Sequence, residues 1–127
     1  MERVLGNFAP QLYALMRIVA GLLFACHGAQ KLFGLFGGQQ VTLLSLFGAA
    51  GIIEFFGGLM IALGFFTGTA AFIASGEMTY AYYTMHMPKG NIPIQNGGEL
   101  AALYCFVFLY IAARGVGMWG IDKRTRI

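Results

Sequence analysis

Residues 41–87 read VTLLSLFGAAGIIEFFGGLMIALGFFTGTAAFIASGEMTYAYYTMHM, and this stretch decides the fold. No lysine or arginine occurs in it, and its only carboxylates are Glu54 and Glu77. It is too long for one membrane span of about 20 residues and right for two. The break between the two falls at Phe66-Thr67-Gly68-Thr69, which reads as a tight hairpin.

The flanking sequence repeats the pattern. A first apolar span covers about 12–36 and is ended by Gly37-Gly38-Gln39-Gln40. The central stretch gives spans at about 43–66 and 68–87. Pro88-Lys89-Gly90-Asn91-Ile92-Pro93 reads as a loop by its prolines and glycine. A fourth span covers about 96–117. The expected fold is all-α: a single transmembrane domain over 1–127, an up-down four-helix bundle.

Composition agrees. Of 127 residues, 58% are hydrophobic and 10% charged, against roughly 25% charged in a soluble domain. Five acidic and eight basic residues cannot cover a soluble surface. The net charge of +3 does not suggest nucleic acid, because the basic residues are scattered except for Lys123, Arg124 and Arg126. That small cluster behind a span reads as an anchor beside anionic lipid. The first span is too long for a cleaved signal core and leads into further spans.

Orientation follows from lysine and arginine placement. With an even number of spans, the tails carrying Arg3, Arg114, Lys123, Arg124 and Arg126 share one side, opposite Lys31 and Lys89. Both termini are therefore expected in the cytoplasm.

Small residues at helical spacing mark the inward faces. Arg17, Gly21, Phe24, Gly28 and Lys31 share one face of the first helix. Gly51, Glu54, Gly58 and Ala62 do so in the second, and Ala70, Ala74, Glu77 and Ala81 in the third. The charged residues ride on these faces and should point into the bundle. At about 1.5 Å per residue, His27 and Glu54 lie about 10 Å below the outer face and Glu77 near the midplane.

An ionisable side chain at that depth costs on the order of 2.5–3.5 kcal/mol on insertion scales and needs a partner or a wet cavity. Two readings stand side by side. In one, His27, Lys31, Glu54, His86, Asn96 and Glu99 form an outward-opening polar pocket. Such a pocket suits the carbonyl or hydroxyl groups of a quinone or phenol, and a histidine beside a carboxylate can carry protons. In the other, Arg17–Glu77 and Lys31–Glu54 or Lys31–Glu99 are ion pairs fixing helix register. No catalytic residue is identified. No metal is expected, since the His and Glu residues come from separate helices without ligand spacing. Cys26 and Cys105 read as packing residues, with a redox pair as the other reading; no haem signature is present.

The chain also resembles the DoxX family of small bacterial and archaeal membrane proteins. The resemblance rests on Arg17-x3-Gly21-x2-Phe24-x2-His27-Gly28-x2-Lys31 and on Glu54 inside the second helix. It continues with Asn96-Gly97-Gly98-Glu99-Leu100-Ala101 and closes with Gly115-Val116-Gly117-Met118-Trp119-Gly120-Ile121-Asp122. It implies a four-helix membrane domain, expected in a bacterial or archaeal inner membrane. The family's name-giving members are associated with a thiosulfate:quinone oxidoreductase, and others with quinone, catechol or oxidative stress. The expectation is a quinone-associated subunit or accessory protein of a redox system, with quinone as a non-covalent cofactor. Its partners would be the bilayer and either further copies or redox subunits. No domain for sulfur oxidation accompanies it, so a complete thiosulfate oxidase is not expected. The alternatives are a structural or assembly protein and, behind it, a small-molecule transporter, for which no internal repeat speaks.

Overall fold

A computed structural model describes residues 1–123, and every regular element among them is helical. A short helix α1 (Glu2–Leu5) and a 3-10 turn lead into α2 (Ala9–Phe33), where Pro10 sits in the first turn and removes no intrahelical hydrogen bond. Gly34 ends α2 in the left-handed conformation, at φ +67°. After a loop, Ser45 caps α3 (Leu46–Leu63) by accepting from the Gly48 amide at 3.1 Å. Gly64 then turns the chain, and α4 (Thr67–Ala81) begins three residues later. A short α5 (Pro93–Asn96) precedes α6 (Glu99–Arg114).

Two of these helical stretches, Glu2–Phe33 and Leu46–Leu63, are long and apolar enough to cross a membrane. α4 and α6 are shorter, at 15 and 16 residues. The expected third span is not α-helical throughout. Beyond Ala81 it loosens into a π-helical turn, Tyr82–His86, and a 3-10 turn, Met87–Lys89. Pro88 explains this, because it lacks an N–H and its ring crowds the carbonyl four residues back, which an α-helix would have to bring close.

α2 packs most extensively on α3, and α4 on α6. The first pair is set by glycine. A Cβ on Gly21 would stand 2.6 Å from the Ala62 amide nitrogen and the Gly58 carbonyl oxygen; one on Gly58 would stand 2.5 Å from the Ala25 nitrogen. Only hydrogens allow backbones that near. Between α4 and α6, Ala70, Ala71 and Ala74 belong to the same buried cluster as Tyr104, Phe108 and Ile111, and the Ser75 hydroxyl donates to the Cys105 carbonyl at 2.8 Å. Phe24 of α2 joins the pairs, its ring 4.7 Å from that of Phe108 and 5.4 Å from that of Tyr104. The outer surface is left apolar, with Val19, Leu22, Phe72, Leu103 and Phe106 all exposed.

The end of the molecule carrying the α3–α4 hairpin is closed by Arg17 and the chain after α6. Arg17 is fully buried, and the sequence pairs it with Glu77; its guanidinium instead donates to four backbone carbonyls. Nη1 reaches Ile61 at 2.7 Å and Ala62 at 2.9 Å, and Nη2 reaches Met118 and Trp119, both at 2.9 Å. The last carbonyls of α3 have no partners within their helix and carry the negative end of its dipole, so a cation there is well placed. Glu77 lies ten residues into α4, roughly 15 Å along the axis from that level, which explains why the pair does not form.

Asp122 completes this end. Phe66, the residue before α4, has a left-handed backbone and no capping side chain. Asp122 takes its place, accepting from the Phe66 and Thr67 amides at 2.9 and 2.8 Å and from the Thr67 hydroxyl at 2.8 Å. Burial pushes this carboxyl up, but the Thr67 and Phe66 donors and the Arg17 charge outweigh it and hold Asp122 below the usual carboxylate range. Of the basic C-terminal cluster, Arg124 and Arg126 lie outside the described residues.

Candidate functional site

The polar residues of the opposite end meet in a cavity of about 710 Å³. Its walls come from the C-terminal half of α2, the N-terminal half of α3, the end of α4 with its π-helical turn, and the start of α6. Phe24, Phe47, Ile53, Met78 and Leu100 give it apolar sides. His27, Lys31, Glu54, Glu77, His86 and Tyr104 are among its polar groups, with Tyr80, Thr84 and Lys89.

Each polar residue arrives for a local reason. Glu54 follows Gly51 and precedes Gly58 on the α3 face against α2, so it is carried inward and is 1% exposed. Lys31, in the last turn of α2, donates to both of its oxygens, at 2.7 Å to Oε1 and 2.5 Å to Oε2. Glu77 lies on the alanine face of α4 and lines the cavity together with Glu54. His27 stands edge-on to the Tyr104 ring, with centroids 6.1 Å apart. His86 lies in the π-helical turn, 3.3 Å from the Asn96 carbonyl oxygen through Nδ1. A carbonyl only accepts, so Nδ1 carries the hydrogen in that bond and Nε2 is left as an acceptor in the neutral ring.

Four of the six predicted pocket residues, His27, Lys31, Glu54 and His86, therefore line one cavity, and two do not. Asn96 is buried at 2% exposure but folds its own loop: Nδ2 donates to the Gly90 carbonyl at 3.0 Å and to the Tyr82 hydroxyl at 3.2 Å, and Oδ1 accepts from the Gly98 amide at 2.8 Å. This side-chain-to-backbone bonding is what Asn before glycine commonly does in turns. Glu99 is exposed and faces a separate shallow groove beside Leu103 and Phe106. It precedes the buried Ala101 by two residues, about 200° around the helix, so its side chain is turned away. The alternative pair Lys31–Glu99 is accordingly absent, and Lys31–Glu54 is the pair that forms.

Sequence reasoning placed Glu77 in an ion pair rather than in the pocket. Its position on the Ala70, Ala74, Ala81 face was the available signal. Tyr104 has no place in the sequence reading, although it continues the buried series Ala101, Tyr104, Phe108, Ile111. Among the described residues, no three His, Cys, Asp or Glu side chains gather as a metal site would require. Cys26 and Cys105 are both free thiols, Cys26 on the outer surface and Cys105 beside Ser75 and Thr79. The arrangement offers a ligand apolar walls together with hydrogen-bond donors and acceptors.

The DoxX family model matches residues 12–87, which carry α2, α3 and α4 with Lys31, Glu54 and Glu77. An uncharacterized protein of Haemophilus influenzae is 40% identical over 127 residues, an alignment covering 94% of this chain and 95% of that one. No solved structure matches. With a match over more than half its length and a relative so similar from end to end, the chain belongs to the DoxX family, a family of membrane proteins.

Proposed function

We propose that the chain is a quinone-associated subunit or accessory protein of a redox system in the bacterial inner membrane. In this reading α2, α3, α4 and α6 all cross the bilayer. Both termini lie in the cytoplasm, the Arg17–Asp122 end faces inward, and the cavity opens outward. Arg3, Arg114 and Lys123 then fall on the cytoplasmic side and Lys31 and Lys89 on the other, as the positive-inside tendency favours.

The observation that carries the reading is the cavity. Its volume of about 710 Å³ lies within the range of roughly 300–1,000 Å³ typical of small-molecule sites. Apolar walls with a polar end match a ring whose oxygens need partners. The residues bind and orient; electron transfer to or from the ring belongs to a partner that brings its own redox group.

The test is to purify the protein in mild detergent, extract it with organic solvent and search for quinone by mass spectrometry. Glu54→Gln and His27→Ala preparations serve as controls. Quinone in the wild type and none in folded variants supports the reading. No quinone in any preparation removes it and favours a structural role for the buried charges.

A further inference from the structure

The wall of the cavity reaches the outside of the bundle between α3 and α4. Successive residues of an α-helix turn by about 100°, so the lining residues can be followed around each helix. On α3 they run from Glu54, buried against α2, through Ala50 and Ile53 to Ala49, about 140° away. Ala49 is exposed, and beyond it Ile52 and Phe56 belong to the outer surface. On α4 they run from Met78, buried against α6, through Ala81 and Glu77 to Ile73 and Tyr80, about 160° away. Ile73 and Tyr80 are exposed, and beyond them lie Phe72 and Gly76 on the outer surface. Both helices thus carry cavity wall without a break round to the outside, and α3 meets α4 far less than α2 meets α3 or α4 meets α6.

The other gaps are shut. α2 and α3 touch through Gly21, Gly28 and Gly58, and α4 and α6 through Ala70, Ala71, Ala74 and Ser75. Between α2 and α6, Phe24 and Tyr104 are buried with ring centroids 5.4 Å apart; the exposed lining residue there, Leu100, stands in the first turn of α6. We infer that the slot between α3 and α4 is the ligand's entrance from the bilayer, and that the ligand is an amphiphile: a ring held in the cavity, with a long hydrocarbon tail lying between Ala49 and Ile53 on one side and Ile73 and Tyr80 on the other. This rests on the reading that the four helices cross the membrane and the cavity holds a quinone-class ring. A tail favours membrane over water with every methylene, so such a ligand arrives within the bilayer, where a side opening receives it. The edges of the slot are apolar except for the Tyr80 hydroxyl, so the tail meets packing partners rather than groups that need hydrogen bonds.

The probes are two trimethylbenzoquinones with a decyl tail, one carrying a diazirine on the first tail carbon and one in mid-tail. Each is photolysed with the full chain in lipid nanodiscs, with and without an excess of the same quinone lacking the diazirine, and labelled residues are mapped by mass spectrometry. Labels that the excess removes are expected on Phe24, Met78 or Tyr104 from the first probe, and on Ala49, Ile53, Ile73 or Tyr80 from the second. Ile73→Trp fills the slot and is expected to raise the half-saturating concentration about tenfold, as overfilling an apolar site does. Phe72→Trp, next in the chain but on the outer surface, leaves it unchanged. Circular dichroism confirms that each variant is folded; the wild-type maps decide the matter even when Ile73→Trp is not. Competed mid-tail labels on the outer faces of α2 or α6, such as Leu22 or Leu103, overturn the slot and leave the cavity reading standing when the first probe still labels the cavity. Unchanged half-saturation in folded Ile73→Trp does the same. Competed labels from the first probe outside the cavity, or none from either probe, overturn both.

Discussion

Lys31 on α2 holds both carboxylate oxygens of Glu54 on α3, at 2.7 and 2.5 Å, and the two side chains differ sharply in exposure: 30% for the lysine and 1% for the glutamate. The lysine stem thus runs from a partly exposed position to a buried carboxylate on the cavity wall. A buried charge is tolerable only while its partner remains, so the pair specifies how α2 and α3 meet more than it adds net stability.

Removing one partner should therefore cost far more than removing both. Lys31→Met leaves Glu54 ionised and buried beside Glu77, and breaking a buried pair this way costs about 3–5 kcal/mol, with the lower end apt here because the lysine is partly exposed. The double variant Lys31→Met with Glu54→Leu should recover most of that loss. Thermal unfolding in detergent micelles measures both. A double variant no more stable than Lys31→Met alone would show that the pair is not the source of the cost.

The glycines give a matched comparison. At Gly28 a Cβ would fall on the Phe55 backbone, closer than any real contact, whereas at Gly57, two residues beyond Phe55 on α3, it meets nothing within 4 Å. Gly57→Ala should be neutral or stabilise by up to about 1 kcal/mol through lower backbone entropy in the unfolded chain. Gly28→Ala should destabilise by about 1–3 kcal/mol or more as α2 and α3 are forced apart. Equal effects in unfolding experiments would mean that the two helices are not packed on Gly28.

How much of this was legible beforehand follows from where each signal lives. Helix positions were readable because hydropathy and glycine breaks lie in the sequence itself, and the inward faces because small residues recur at helical spacing. Lys31–Glu54 followed from those faces. Arg17 was misassigned because side-chain patterns suggest side-chain partners, while its actual partners are carbonyls at the end of α3 and after α6. Glu99 was misplaced by counting depth along the helix without its rotation, and Asn96 by overlooking that Asn-Gly-Gly turns its side chain onto the backbone. Asp122 capping α4 from 55 residues away has no local signal at all.

The Arg17 arrangement predicts an asymmetry between conservative variants. Arg17→Lys retains the charge but a single ammonium cannot span carbonyls on both α3 and the segment after α6. Losing even one charge-assisted hydrogen bond here should cost about 1.5–3 kcal/mol. Residues 116–123 should also become accessible to protease, since Arg17 holds Met118 and Trp119 directly. Limited proteolysis with mass mapping tests this; a lysine variant as resistant as the wild type would mean that the Ile121 and Asp122 backbone bonds to Leu63 and Gly64 suffice.

Asp122 predicts a pH dependence whose sign can be worked out. Its folded-state pKa lies below the ordinary value of 3.8, so the folded protein binds this proton less readily than the unfolded chain. The stabilisation is therefore fully present above about pH 4 and is lost as the pH falls through the lower, folded-state value. Asp122→Asn keeps one accepting oxygen but not the charge beside Arg17 and the α4 amides, and the loss of a helix cap is worth about 1 kcal/mol. Unfolding midpoints of the two proteins should thus be separated by a constant gap from pH 7 down to about 4 and converge below it. A gap that persists unchanged to pH 2.5, or that widens on acidification, would show that the carboxylate charge contributes nothing to this end of the fold.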